Sequence, residues 1–344
     1  MRSSTFSAGR CARSSSLAKF TLFVLLTGAY CYLSYLSMPA RATASHRAAN
    51  TERRYSNHTT KTVIHHTTEQ AYDWSEVEMR LAERKDRLQN ICMSGIVPDM
   101  KPNAWEFVID AKHDLIWGNI FKAASSSWMY NFNLLGGYPD SYLRMVKKNP
   151  ITLLRARFPR PTVHQLQTSL PSSLSFLIVR DPFHRLLSAY RDKLETVHSP
   201  YYRQLAKVIV ARYRAKSSRY KGGPTFAEFA SYVADSRKSP DEHWAPFYKF
   251  CTPCAVNFTV IAKLETLGRD QNYIIHRQKL ERILTPNRLQ VQNRSQGGLH
   301  TKDLIKKYYS KLNRTLMDRL VDIYRLDFEL FDYSTQKYYD LLKP

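Results

Sequence analysis

The stretch that most limits what this chain can fold into is Ser175 to Glu195, SFLIVRDPFHRLLSAYRDKLE. Its opening run, Phe176 to Val179, is too short for a helix and rich enough in β-branched residues to read as a buried strand ended by Arg180. Asp181 and Pro182 then start a helix, the carboxylate serving orphan N–H groups and the proline fitting the first turn. Phe183, Leu186, Leu187, Tyr190 and Leu194 fall on one helical face, leaving Arg185, Ser188, Arg191 and Asp192 around the other. Such a strand-to-helix turn directs backbone N–H groups and the positive helix end at whatever lies above it, and Arg180 adds a planar donor fork suited to phosphate. An anion site is one reading. A plain βα turn with solvated arginines is the other.

A second stretch of this kind is Asp114 to Trp128, DLIWGNIFKAASSSW. A strand-like run ends in Phe121, and Lys122, Ala123, Ala124, Ser125, Ser126 and Ser127 lead into Trp128, Met129, Phe132 and Leu135 at helical spacing. Small residues let a phosphate approach the backbone, and the hydroxyls and lysine add donors. The pattern GxxxxGK[ST] is absent, and a serine-rich helix cap explains the same residues.

Charge identifies the kind of partner. Lys and Arg total 52 against 29 Asp and Glu, a formal net charge of +23, which calls for nucleic acid, an anionic membrane or an acidic polysaccharide. Compartment chooses among them. Residues 20–40 form a run of 21 positions without a charge, long enough to span a bilayer as a signal anchor, behind a tail of residues 1–19. A cleaved signal peptide fits less well, because the apolar run is long and starts late; the acid-free first residues also imitate a transit peptide. Four sequons, at Asn57, Asn257, Asn293 and Asn313, all follow the span and make sense only in the secretory lumen, which removes nucleic acid from the list. The luminal cysteines are then Cys92, Cys251 and Cys254, where a disulfide is expected and one thiol is left over; half a zinc site at Cys251-Thr-Pro-Cys254 is the rival.

In chain order, residues 41–73 read as a polar stem and 74–344 as the luminal domain, opened by a helix from Trp74 to Cys92. Pro150 to Pro171 reads as a loop carrying Arg155, Arg157, Arg160 and His164. Tyr201 to Tyr220 reads as a basic amphipathic helix with Arg203, Lys207, Arg212, Arg214, Lys216 and Arg219, followed by a further helix over Phe226 to Val233. His243 lies in DEHWAP, which is neither regular helix nor strand, and is a candidate general base as well as a candidate structural histidine. A strand follows at Phe258 to Ile261, and helical signals run from Tyr308 to Ile323. The sequence sets no oligomeric state.

Taken together, FLIVRDPFHRLLSAYRDKLE, FKAASSSW, HWAPFYKFCTPC, AKLETLGRD and YRLDFELFDY resemble, in order, the blocks of the Golgi carbohydrate sulfotransferases, the family of the chondroitin and dermatan 4-O-, N-acetylgalactosamine 4-O- and HNK-1 sulfotransferases. The departure is in the second block, where Phe121 replaces the usual proline and AASSSW replaces a VACTNW-like run. The resemblance implies an α/β fold with a parallel sheet flanked by helices, P-loop-like, and transfer of a sulfuryl group from 3′-phosphoadenosine 5′-phosphosulfate (PAPS) to a sugar hydroxyl of an acidic glycan or glycosaminoglycan. It implies that Arg180 and Ser188 hold the 3′-phosphate. Ala123 to Ser127, with Trp128, would cradle the 5′-phosphosulfate, Lys122 would neutralise the departing oxygen, and His243, with His164 as runner-up, would be the base. No metal is expected, because the chain's own cations do the neutralising. A non-catalytic polysaccharide-binding protein and a metal-dependent luminal kinase are the alternatives; the second lacks a Walker lysine and evident acidic metal ligands near the loop.

Overall fold

A computed structural model describes residues 73–196, 199–236, 240–285 and 301–342. The expected tail, anchor and stem lie outside the described residues except for Asp73, as do Asn57 and Asn293. No helix among the described residues is long and apolar enough to cross a membrane.

Helix α1 (Ser75–Met93) buries Val77, Leu81 and Leu88 along one stripe. Strands β1 (Phe107–Asp110) and β2 (Leu115–Gly118) form a hairpin, followed by α2 (Ser125–Leu135), α3 (Asp140–Met145), α4 (Pro150–Arg157) and α5 (Val163–Ser169). Strand β3 (Leu174–Val179) leads into α6 (Pro182–Tyr190), which widens into a π turn over Arg191–Glu195. Next come α7 (Pro200–Tyr213), α8 (Phe226–Asp235) and the short α9 (Phe247–Phe250), before β4 (Val260–Lys263). Helices α10 (Leu267–Arg277), α11 (Thr301–Tyr309), α12 (Arg314–Leu330) and α13 (Gln336–Tyr339) complete the described chain.

The strands lie in the order β1-β2-β3-β4. Strands β2, β3 and β4 are parallel, with Trp117 beside Phe176 and Phe176 beside Val260. The expected all-parallel sheet is corrected to a mixed one, since β1 runs antiparallel to β2 with Phe107 opposite Gly118. Residues 111–114 allow only a hairpin, whereas a parallel neighbour needs a crossover of a dozen residues or more.

Two apolar clusters flank the strand-to-helix turn at Arg180. The first covers the sheet, where Trp117 stacks on Phe132 at 5.5 Å and Trp128 meets Phe176 at 4.4 Å. The second is helical, with Phe183 of α6 enclosed by Tyr309, Tyr324, Phe328 and Tyr338. Strand β3 belongs to one cluster and α6 to the other, so the turn between them is the joint of the fold. The Asp181 side chain caps α6, accepting from the N–H groups of Phe183 and His184 at 2.9 and 3.2 Å.

The segment expected as a loop from Pro150 to Pro171 is instead mostly helical. Asn149 caps α4 through Ile151 N, and Thr162 forms a capping box with Gln165 at the start of α5. Arg155 and Arg160 both pair with the buried Glu106, at 3.3 and 2.8 Å, and Arg157 lies over the Tyr138 ring, so none of the three is simply solvated. The basic helix stops at Tyr213; Arg214 turns back to Glu228 at 2.8 Å and to the carbonyls of Gly222 and Gly223.

Cys92 and Cys254 form the disulfide, joining α1 to the segment after α9, while Cys251 is a buried thiol whose Sγ donates to the Phe247 carbonyl. With Cys254 oxidised, the CxxC pair is no half zinc site. Sequons Asn257 and Asn313 are both exposed. Replacing Cys92 and Cys254 together with Ala should lower the unfolding free energy by about 2–5 kcal/mol in denaturant titration. Cys251→Ala should leave the 92–254 crosslink intact on non-reducing peptide mapping; loss of that crosslink would show a different pairing.

Candidate active site

The carboxyl ends of β2, β3 and β4 open on one edge of the sheet, so the loops 119–124, 180–181 and 264–266 that follow them are neighbours. Strand β2 ends at Gly118, earlier than the expected Phe121, which gives the first loop its length. Within it Lys122 and Ala124 take left-handed backbone at φ 69° and 62°, a conformation that costs a side-chain-bearing residue on the order of 1–3 kcal/mol. Ala124 then starts α2 without a side-chain cap. Helix starts leave N–H groups unbonded, and here those of Ala124, Ser125 and Ser126 have no backbone acceptor among the described residues. The Ala123 N–H is used by Ile120 O and the Trp128 N–H by Ala124 O. Trp128 is fully buried against Phe176 and belongs to the core rather than the loop surface; Ser127 is buried as well. Of the expected 123–128, the backbone N–H groups without a backbone acceptor among the described residues are those of Ala124 to Ser126.

Lys122 Nζ lies 2.6 Å from Asp192 Oδ2, which also receives Lys193 Nζ at 3.1 Å. Burial lowers the Lys122 pKa, and the Asp192 charge and hydrogen bond oppose that shift. Burial would raise Asp192, yet the Lys122 ammonium holds its carboxyl below the ordinary range.

Two arginines of the opening stretch fix this loop from behind. Arg180 donates from one guanidinium nitrogen to the Lys122 carbonyl at 3.2 Å, with burial lowering its pKa against the charges of Glu265 and Asp181. Glu265, in the loop after β4, accepts from Asp181 N at 3.1 Å and from the Tyr333 hydroxyl at 2.8 Å. Arg185, expected on the polar face of α6, is 1% exposed. It donates to Phe121 O at 2.9 Å, Glu242 O at 2.9 Å and Ala245 O at 2.6 Å, tying the lysine loop to the turn that holds His243. Ser188 is half-buried on the same helix, and its hydroxyl makes no protein hydrogen bond among the described residues.

His243 is brought to the lysine loop, its ring 4.9 Å from that of Phe121. Its Nδ1 lies 2.7 Å from Asp241 Oδ1 and 3.0 Å from the Tyr202 hydroxyl, which in turn donates to Asp241 Oδ2 at 3.0 Å. With Nδ1–H held by the carboxylate, Nε2 is the basic nitrogen. Burial lowers the His243 pKa and the Asp241 bond opposes it, while the Lys193 and Lys122 charges lower it further. The ring is therefore neutral at neutral pH. His164 is exposed on the first turn of α5 and does not join this cluster.

Lys122, Arg180 and His243 thus share one region, and the fold adds Asp192, Arg185, Asp241, Tyr202 and Glu265 to it, while Ser188 lies on α6 four residues before Asp192. Of these, Asp241 had a local signal, two residues before His243. The others are joined to the loop only by long-range contact. A neutral oriented imidazole beside a buried ammonium, a guanidinium and free helix-start N–H groups is equipped to take a proton next to a bound polyanion.

Residues 105–334, more than half of the chain, match the family described as "Sulfotransferase family". Carbohydrate sulfotransferase 9 of Homo sapiens is 28% identical over 279 residues, covering 76% of this chain and 62% of its own length. Carbohydrate sulfotransferase 10 of Xenopus laevis is 28% identical over 298 residues, covering 78% and 80%. Carbohydrate sulfotransferase 14 of Danio rerio is 30% identical over 235 residues, covering 66% and 61%. The chain therefore spans under two thirds of the human and zebrafish relatives and more of the frog one. No solved structure matches.

Removing the Asp192 charge should leave burial and the Lys193 and Arg180 charges to lower the Lys122 pKa unopposed. In Asp192→Asn, acylation of Lys122 by an amine-reactive reagent, followed by peptide mapping across a pH series, should set in at lower pH than in the parent chain. Identical profiles would show that the two side chains are not paired in solution.

Proposed function

This chain belongs to the sulfotransferase family and is a PAPS-dependent carbohydrate O-sulfotransferase; from that premise we propose that it sulfates an anionic glycan, at the 4-O position of N-acetylgalactosamine in chondroitin or dermatan. The observation that carries the reading is the Arg180 bond to the Lys122 carbonyl together with the Phe121 contact to His243, which join a candidate anion anchor, a cation and a base in one region.

The donor set suits a ligand with two separate anionic groups. Arg180 and the unpartnered Ser188 hydroxyl would hold the 3′-phosphate, and the N–H groups of Ala124 to Ser126 with Lys122 would hold the 5′-phosphosulfate. When bound, PAPS supplies the sulfuryl group that passes to the sugar hydroxyl. His243 Nε2 takes the proton of that hydroxyl, while Asp241 keeps the ring in the tautomer that leaves Nε2 basic. Lys122 offsets negative charge on the departing side, and its burial makes that charge more effective than in water. The exposed Arg203, Lys207 and Arg212 of α7 and the net charge of +23 support an acidic acceptor. The uncharged 20–40 run and the exposed sequons Asn257 and Asn313 support a type II Golgi membrane protein, divided into tail, anchor, stem and luminal domain from residue 74.

Protein supplied with labelled PAPS and a panel of desulfated chondroitin, dermatan and glycoprotein glycans should transfer label, with the site read by disaccharide analysis. Inactivity on every acceptor would overturn the reading. Arg180→Ala should lose retention on a 3′,5′-bisphosphate resin, and unchanged retention would remove Arg180 from the anchor. His243→Ala should keep nucleotide binding and lose turnover.

Because burial holds the His243 pKa below its ordinary 6.5, the acid limb of kcat/KM should lie below that value, with activity lost as pH falls through it. Asp241→Asn removes the charge that raises it and leaves only a weaker neutral acceptor in place of the carboxylate. The limb should move lower still, with a rate loss on the order of 10²-fold. An unmoved limb would separate His243 from the proton transfer.

A further inference from the structure

Trp105 is 62% exposed, and the Arg160 guanidinium carbon lies 4.4 Å from its ring centroid. Single exposed apolar side chains are ordinary, but this one is held. The Trp105 backbone N–H donates to Asn103 Oδ1, and the Asn103 side chain donates to Phe250 O at 2.6 Å while its backbone N–H donates to Thr252 Oγ1 at 2.9 Å. The Phe250 ring neighbours that of Phe121, which in turn contacts His243. Glu106, the next residue, is bonded through backbone and side chain to Asn119, directly after β2. Trp105 is thus strapped at the carboxyl edge of the sheet, beside the loop that carries Lys122.

The charge at this point is unbalanced. Arg155 and Arg160 share the single buried carboxylate of Glu106, an excess of positive charge that Glu242 offsets only from a distance, without an ion pair to either arginine, and the Arg160 side chain is 29% exposed. Glu242, adjacent to His243, feels both Glu106 and Arg160, which places the pair within electrostatic reach of the His243 turn. A rigid exposed indole with a cation at its side matches a sugar ring that carries an anionic group: the apolar ring face lies on the indole, and the anion meets the guanidinium.

Resting on the acceptor reading above, we propose that Trp105 and Arg160 form an acceptor subsite for an anionic sugar residue next to the one that receives sulfate. Trp105 supplies the stacking platform and Arg160 the charge selection. Neither touches the reacting atoms, so the subsite acts on acceptor affinity.

The test compares the full chain with Trp105→Ala, Trp105→Phe and Arg160→Lys, using partly sulfated chondroitin, its carboxyl-reduced form and its desulfated form as acceptors. Trp105→Ala should raise the acceptor KM about tenfold, as expected for loss of an aromatic anchor, with the KM for PAPS unchanged. Trp105→Phe should recover most of the loss. Arg160→Lys keeps the charge but loses the planar fork, and should narrow the preference for acidic over carboxyl-reduced polymer. Preference lost on carboxyl reduction identifies a hexuronate as the anion, and preference lost on desulfation identifies a sulfate ester; both outcomes support the subsite. An acceptor KM for Trp105→Ala within twofold of the parent, or equal KM values for all three polymers in the parent, overturns it. If the parent chain transfers to no acceptor, the acceptor reading fails and takes the subsite with it, whereas an active parent with an unaffected Trp105→Ala removes the subsite alone.

Discussion

A buried guanidinium organises this molecule. Arg185 is removed from water on α6, and burying an unpaired charge costs several kcal/mol even after relaxation. The cost is offset by three hydrogen bonds to backbone carbonyls, strengthened by the donor's charge, and by the Phe247 ring 4.7 Å away. Those carbonyls belong to two irregular segments that have no ladder of their own to satisfy them. One side chain therefore holds Phe121 against Glu242 and Ala245, and the neighbours of those residues are Lys122 and His243. Asp327 of α12 supports the same assembly from the opposite side. It accepts from the N–H groups of Phe247 and Tyr248 at 2.7 and 2.9 Å, fixing where α9 begins, and burial pushes its carboxyl up to about 7.

Helix α6 shows what is legible in sequence. Its cap, its proline and its apolar face are all local, and the strand, turn and helix occur where the pattern puts them. The interior position of Arg185 was not legible, because a residue-type reading puts arginine outside. What draws it inside are acceptors 57 to 64 residues away. The same limit applies to Asp192, which sits 70 residues from Lys122, and to Cys254, which is 162 residues from Cys92. Helices α4 and α5 are a different kind of miss. Their signals, Asn149-Pro150 and Thr162 three residues before Gln165, are local and were outweighed by a reading of prolines and arginines as loop.

The lysine loop combines two costs that support each other. Left-handed backbone at Lys122 and Ala124 is unfavourable alone, and it persists only where the surroundings over-determine it. Arg185 on the Phe121 carbonyl and Arg180 on the Lys122 carbonyl provide that determination, one from each end of the turn between β3 and α6. The departures of this loop from the related blocks, Phe121 and the serines, fit the arrangement. Phe121 gives His243 a ring to pack against, and serines and alanines are small enough for the backbone to remain open to a ligand.

Electrostatics then follows from burial. Taking Lys122 out of water weakens its hold on a proton, and Asp192 offsets only part of that; taking His243 out of water does the same, and Asp241 moderates the effect. Both shifts are downward, from the ordinary 10.5 of a lysine and 6.5 of a histidine, and the Lys122 charge is one of those that lower His243. A lysine without Asp192 would lose the carboxylate that opposes this downward shift. A histidine without burial would spend part of its time protonated at mildly acidic pH and be unable to accept. Burial lowers both pKa values and a carboxylate beside each opposes the shift, so the lysine and the histidine keep the separation that their own chemistry gives them while sharing one site.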